Sequence, residues 1–358
     1  MKKFMNLLLI FVPVAIGLKL WPVSSLGLFL SSVLAIIPLA GLLGAATESL
    51  AAKTGPRLGG LLNATLGNAA ELIIAIVAVQ AGELTLVSAS LIGSILGNVL
   101  LVLGMAVLLG GFRFGTQRFD REQAGLDAAL LFLATIAIAV PSLFNSAIEP
   151  NRSRVEGLSA ATAVVMLLIY LLATGYTLFR ARPKHDDLQA SSFSSQKGEG
   201  VPHWSPRVSL LILILAVAVL ALLSEFLVST VEPVTRQLGF GAFFVGIIVI
   251  PIIGNVAEHV VAVEVAMKNN LDLSLGIALG SSLQIALFAA PLVVLLSPLL
   301  GHCFTLEFNR FELIALSSAA VIGAVVSVDG KSNWLEGAML LAVYLILSIG
   351  FFFLPGKM

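Results

Sequence analysis

The chain has 358 residues, of which 58% are apolar and 11% charged, with twenty basic and twenty acidic side chains and no net charge. Soluble domains carry about 25% charged residues, so a water-facing globule is excluded, and without a basic tract nothing supports nucleic-acid binding. The single cysteine, Cys303, excludes an intrachain disulfide.

The mean hydropathy is +1.05. Charge-free windows at 20–47, 84–112, 128–148, 157–179, 238–257 and 273–306 are each long enough to cross a bilayer, which takes about 20 residues per helix. None shows the strict alternation of a barrel strand. The N-terminus, MKKFMNLLLIFVPVAIGLKL, begins like a signal peptide but has no small-residue cleavage site before the next apolar run. It is predicted to be a leading transmembrane helix. The fold class expected is all-α integral membrane, with eleven transmembrane helices near 4–21, 24–48, 57–81, 84–110, 124–144, 157–180, 207–229, 238–268, 272–299, 311–328 and 334–354. A Ser-, Gly-, Pro- and charge-rich stretch at 181–206 reads as a linker. The expected organisation is a leading helix (1–22), a five-helix repeat (23–180), the linker (181–206) and a second five-helix repeat (207–358).

GNAAELIIAIVAVQAGELTLVSASLIGSIL from Gly67 aligns without gaps on GNVAEHVVAVEVAMKNNLDLSLGIALGSSL from Gly254. A second echo pairs Phe119-Asp120-Arg121 with Phe308-Asn309-Arg310. Two consecutive units of five helices must enter the membrane from opposite sides, which predicts inverted-topology repeats. Fourteen Lys and Arg fall in loops on the N-terminal side and six on the other. The positive-inside rule then puts the N-terminus and linker in the cytoplasm and the C-terminus outside.

A charged side chain at the centre of a bilayer costs roughly 2.5–3.5 kcal/mol on insertion scales, so intramembrane carboxylates are candidates for function. Glu71 and Glu258 each follow an Asn by three residues, placing Asn68 with Glu71, and Asn255 with Glu258, on one helix face. The preceding Gly67 and Gly254 admit close approach or local unwinding that frees backbone carbonyls. Carboxylate, amide and carbonyl oxygens are hard ligands that suit Ca2+, and there is no His/Cys cluster for zinc or copper. Burial disfavours the charged carboxylate, so protons and Ca2+ compete for the same oxygens. The competing reading is a pair of buried glutamates that only hold helices together. Glu48 and Glu225 sit in the first helix of each repeat, on opposite sides, and read as proton or cation relays. Ser90, Ser94, Asn98, Ser281, Ser282 and Gln284 are site-lining or packing residues, and His259 stands beside Glu258 as a neighbour able to tune it.

Residues 67–104 and 254–292 resemble the two signature repeats of the calcium/cation–proton exchangers, the proton-coupled branch of the calcium/cation antiporter superfamily. LLGAATESLA (42–51), SEFLV (224–228) and FNRFE (308–312) extend the resemblance over about 39–347. The resemblance implies one leading helix and two inverted five-helix repeats. It also implies central cation ligands at Glu71 and Glu258, supported by Asn68, Asn255 and carbonyls at Gly67 and Gly254, with Glu48, Glu225, Ser281, Ser282 and Gln284 lining two half-channels. The linker departs from the acidic segment of eukaryotic members, having only Asp186, Asp187 and Glu199 against several basic residues, and fits a compact prokaryotic member in the plasma (inner) membrane. The expected function is Ca2+/H+ antiport, with Ca2+ as substrate, no cofactor and no enzymatic activity. Homo-oligomerisation is left open. The nearest alternative is a Na+/Ca2+ exchanger, whose repeats lead into Pro-Glu where Glu71 and Glu258 here follow Ala70 and Ala257. A divalent cation channel is the alternative from another class.

Overall fold

The computed structural model describes residues 7–21, 24–54, 56–148, 152–179 and 204–354. The start expected for the leading helix and nearly all of the 181–206 linker lie outside the described residues. In chain order the helices are α1 (Phe11–Leu20), α2 (Ser25–Thr54), α3 (Pro56–Leu66), α4 (Ala69–Gln80), α5 (Leu84–Phe114), α6 (Arg121–Ile148), α7 (Arg152–Phe179), α8 (Pro206–Leu238), α9 (Ala242–Ala266), α10 (Leu271–Leu300), α11 (Arg310–Ser327) and α12 (Trp334–Phe352). Among the described residues nine of these, α2 and α5 to α12, are long and apolar enough to cross a membrane. The chain is a helical membrane protein. Two two-residue strands, Gln117–Arg118 (β1) and Lys331–Ser332 (β2), pair antiparallel.

Local chemistry sets several helix ends. Asp120 Oδ1 accepts the amides of Glu122 and Gln123, and Asn309 Oδ1 accepts those of Phe311 and Glu312. The echoed Asp120 and Asn309 are thus both N-caps, and this explains why that short motif recurs before α6 and α11. Residues 97–102 of α5 and 285–289 of α10 wind as π-helix, three residues after Ser94 and four after Ser281, at aligned places in the two repeats. A third π segment, 245–249 in α9, has no counterpart in α3.

α5 is the centre of the fold, with 83% of its apolar window buried, whereas α7 and α12 bury 22% and form the periphery. Gly93 lets α9 approach α5 closely, because a Cβ there would lie 2.0 Å from Ile247 O. Among the described residues α2 and α8 pack along each other extensively, as do α5 and α9.

Contacts at the helix ends fall into two sets. At one end Ser209 Oγ donates to Ser49 Oγ at 3.0 Å, and Gln117 Nε2 donates to Ala266 O at 2.9 Å and Asn269 Oδ1 at 3.1 Å. At the other, Ser142 Oγ donates to Leu306 O at 2.9 Å, and Leu306 N–H donates to Ser159 Oγ at 3.2 Å.

Candidate functional site

Gly67 and Asn68 separate α3 from α4. The Gly67 amide still donates to Asn63 O at 2.9 Å, but Asn68 takes φ −100° and ψ 33°, and a new helix begins at Ala69. A Cβ at Gly67 would lie 2.7 Å from Asn63 O and 2.9 Å from Gln284 Oε1, so this approach requires glycine. The break places Glu71 in the first turn of α4, where the partial positive charge of a helix N-terminus favours a carboxylate. The second copy of the motif is built differently. Gly254 and Asn255 lie within the unbroken run Ile250–Ala266, and Glu258 stands at its middle. The unwinding expected at both glycines therefore occurs only at Gly67. At Gly254 the helical ladder continues, so its carbonyl is not freed by a turn. The contribution of Gly254 is close approach, since a Cβ there would lie 3.3 Å from Glu71 Oε1.

Glu71 and Ile74 of α4, Ser90, Leu91 and Ser94 of α5, and Ile250, Pro251 and Gly254 of α9 line a cavity of about 10 Å3, near the smallest that holds one water. The Glu71 carboxylate lies against the second motif, 3.3 Å from where a Cβ of Gly254 would stand, and Glu258 follows Gly254 by four residues on the same helix face. Asn255 Nδ2 donates to Pro251 O at 3.0 Å and, at 3.4 Å, to Ser94 Oγ. Asn255 Oδ1 and Glu258 Oε2 are buried with no hydrogen-bond partner among the described residues. Leaving such an atom unpaired costs about 1–3 kcal/mol. Two unpaired oxygens three residues apart on one helix, whose Gly254 meets the Glu71 carboxylate, make a lone-pair-rich region of the kind a hard cation satisfies.

Asn68 is held instead of free. Its Nδ2 donates to Gln284 Oε1 at 2.6 Å and its Oδ1 accepts from Ser281 Oγ at 2.8 Å. Ser281 Oγ also accepts from Asn98 Nδ2 at 2.9 Å. The structure thus brings Gly67, Asn68, Glu71, Ser94, Gly254, Asn255, Glu258, Ser281 and Gln284 together.

Other expected residues stand apart. Ser282 is fully buried and its hydroxyl donates to Ala278 O, one turn back in its own helix, at 2.8 Å. His259 is one position, about 100° of helix rotation, from Glu258. It turns toward a second cavity of about 400 Å3 lined by Met105, Val260, Val263, Glu264 and Met267, away from Glu71. Glu48 is exposed and adjoins Ser49, the partner of Ser209. Glu225, also exposed, is sixteen residues beyond Ser209 on α8, roughly 24 Å along the axis at 1.5 Å per residue. Beside it Lys19 Nζ sits 5.3 Å from the Phe226 ring centre, bringing the end of α1 to that level.

Two features escaped the sequence reading. Glu312, 1% exposed, accepts from Asn309 N–H at 2.7 Å in a capping box, and the Asn-x-x-Glu spacing in FNRFE is the signal for it. The π segments behind Ser94 and Ser281 carry no comparable signal.

The family described as "Sodium/calcium exchanger protein" matches residues 24–179 and matches again over 208–353. The chain belongs to this family. The two matches to the exchanger family divide at the linker, in keeping with the alignment of Gly67 on Gly254. Among its relatives, a Ca(2+)/H(+) antiporter of Aphanothece halophytica is 43% identical over 97% of this chain and 96% of its own length. The Ca(2+)/H(+) antiporter ChaA of Bacillus subtilis is 41% identical over 96% of this chain and 99% of its own. Among solved structures, that of the selenium-substituted Ca2+/H+ antiporter protein YfkE superposes with a TM-score of 0.84 at 38% identity, covering 99% of this chain and 100% of that one.

Proposed function

We propose that the chain is a secondary active transporter that exchanges Ca2+ for H+ by alternating access, with both ions competing for Glu71 and Glu258. The observation that carries this reading is the approach of Glu71, from the first half of the chain, to Gly254 in the helix of the second half that bears two unpaired buried oxygens, Asn255 Oδ1 and Glu258 Oε2. A divalent hard cation satisfies oxygens of this kind, and binding displaces the protons that an empty, desolvated carboxylate pair retains. The closely related Ca2+/H+ antiporters support the choice of ions.

In this reading α3 and α4 form one discontinuous membrane segment, so α1 leads and α2 to α6 and α8 to α12 hold two inverted repeats, with α7 closing the first. Counted by segments, α2, α3–α4, α5, α6 and α7 are the first five and α8 to α12 the second. The end marked by Ser49, Ser209 and the β1–β2 pair is cytoplasmic, with the N-terminus, and the C-terminus is outside, in a prokaryotic plasma membrane. Glu48 and Glu225 then flank the site from opposite sides as relays.

The family's name favours one rival, Na+/Ca2+ exchange at the same site. Everted vesicles separate the two. An imposed acid-inside gradient drives Ca2+ uptake in the proton reading, without Na+ and sensitive to a protonophore. Uptake that requires Na+ and survives the protonophore contradicts it.

A further inference from the structure

A serine hydroxyl has one hydrogen and two lone pairs, and two side chains converge on that of Ser281. Asn98 Nδ2 donates to its Oγ at 2.9 Å, and its own hydrogen reaches Asn68 Oδ1 at 2.8 Å. Asn68 and Asn98 come from the first half of the chain, Ser281 from the second. The hydroxyl is therefore a junction between the halves. With the Asn98 amide donating to Oγ, one lone pair is occupied and the hydrogen is directed at Asn68 Oδ1, on the cation side.

Asn98 is 1% exposed and is not among the residues lining the cavity. It is the second residue of the π segment Gly97–Val102, whose wider turn re-aims side chains relative to an α-helix. The aligned residue in the other half is Ile285, which has no side-chain donor. Ser94, aligned with Ser281, has instead the longer 3.4 Å contact from Asn255 Nδ2. The orientation of one site hydroxyl is thus built in, and that of its counterpart is not.

We infer that Asn98 is a positioning residue that fixes the Ser281 hydroxyl as a donor into the cation site and so sets cation affinity without touching the cation. This rests on the site proposed above. The test is a double-mutant cycle in everted vesicles, with initial Ca2+ uptake measured against Ca2+ concentration for Asn98→Leu, Ser281→Ala and the double variant. Asn98→Leu is expected to raise the half-saturating Ca2+ concentration about tenfold, the order of one buried hydrogen bond, with a smaller change in maximal rate. The double variant is expected to be no worse than Ser281→Ala alone, because both changes remove one interaction. Effects that multiply to about a hundredfold, or an unchanged half-saturation in Asn98→Leu, overturn the inference. If Leu prevents recovery of monodisperse protein, Asn98→Ala and Asn98→Thr take its place, with Thr, which keeps a hydroxyl donor, expected to retain more affinity than Ala. Failure of the site itself reads differently: Glu258→Gln would then keep full uptake.

Discussion

Glu71 stands in the first turn of a helix that starts at a break, whereas Glu258 stands in the middle of a helix that does not break. Their asparagines differ in the same sense. Asn68 is held through both its amide nitrogen and its oxygen, by Gln284 and Ser281, while Asn255 is held only by its nitrogen and leaves Oδ1 unpaired. One motif is therefore used in two ways. The first half supplies a carboxylate favoured by a helix N-terminus and an asparagine locked to the other half, and the second supplies unsatisfied oxygens on a continuous rod. A site assembled this way has a fixed wall and a wall whose polar atoms gain most from an ion.

The glycines give the largest test of that difference. Gly67→Ala drives a Cβ to 2.7 Å from a backbone oxygen, and an overpacked site of this kind costs typically 1–3 kcal/mol. A clear loss of thermal stability in detergent is expected. Gly254→Ala meets only the tip of Glu71, at 3.3 Å, and gains up to about 1 kcal/mol of helix propensity. Stability is expected to hold while Ca2+ uptake falls, since the methyl group enters the site. Equal destabilisation by the two would break the comparison.

The asparagines follow. Asn68→Ala removes two side-chain hydrogen bonds and should destabilise by about 1–3 kcal/mol. Asn255→Ala removes a buried unpaired oxygen as well as the bond to Pro251 O and the longer one to Ser94 Oγ, so unfolding should shift by less than about 1 kcal/mol while the half-saturating Ca2+ concentration rises. A thermal-shift series with and without Ca2+ reads both quantities. The smallest effect belongs to Ser282→Ala, where the lost hydroxyl bonded only within its own helix. Uptake is expected to stay within about twofold of the parent, and a large loss would return Ser282 to the pathway.

Much of this was legible in the sequence. Charge is so costly in hydrocarbon that the uncharged runs marked the spans, and the exceptions, Glu71 and Glu258, marked the candidate site proposed above. The repeat of Gly-Asn-x-Ala-Glu named the partners on the same helix face. The same motif could not reveal that only the first copy breaks, because the cause is tertiary: Gln284 of α10 packs onto Gly67, whereas at Gly254 the neighbour is the Glu71 tip. Ser281 and Ser282 have the same chemistry, and only helix rotation separates the hydroxyl that bonds across the halves from the one that bonds within its own helix. His259 likewise points about 100° away from Glu258 and lines the second cavity.

Calorimetric titration of Ca2+ into the purified protein, repeated in buffers of different ionisation enthalpy, counts the protons released on binding and tests competition at Glu71 and Glu258 most directly. The account predicts net proton release by the parent protein near neutral pH, with binding and release both lost or sharply reduced in Glu71→Gln and in Glu258→Gln. Tight Ca2+ binding without proton release, or release unchanged in both variants, would contradict it.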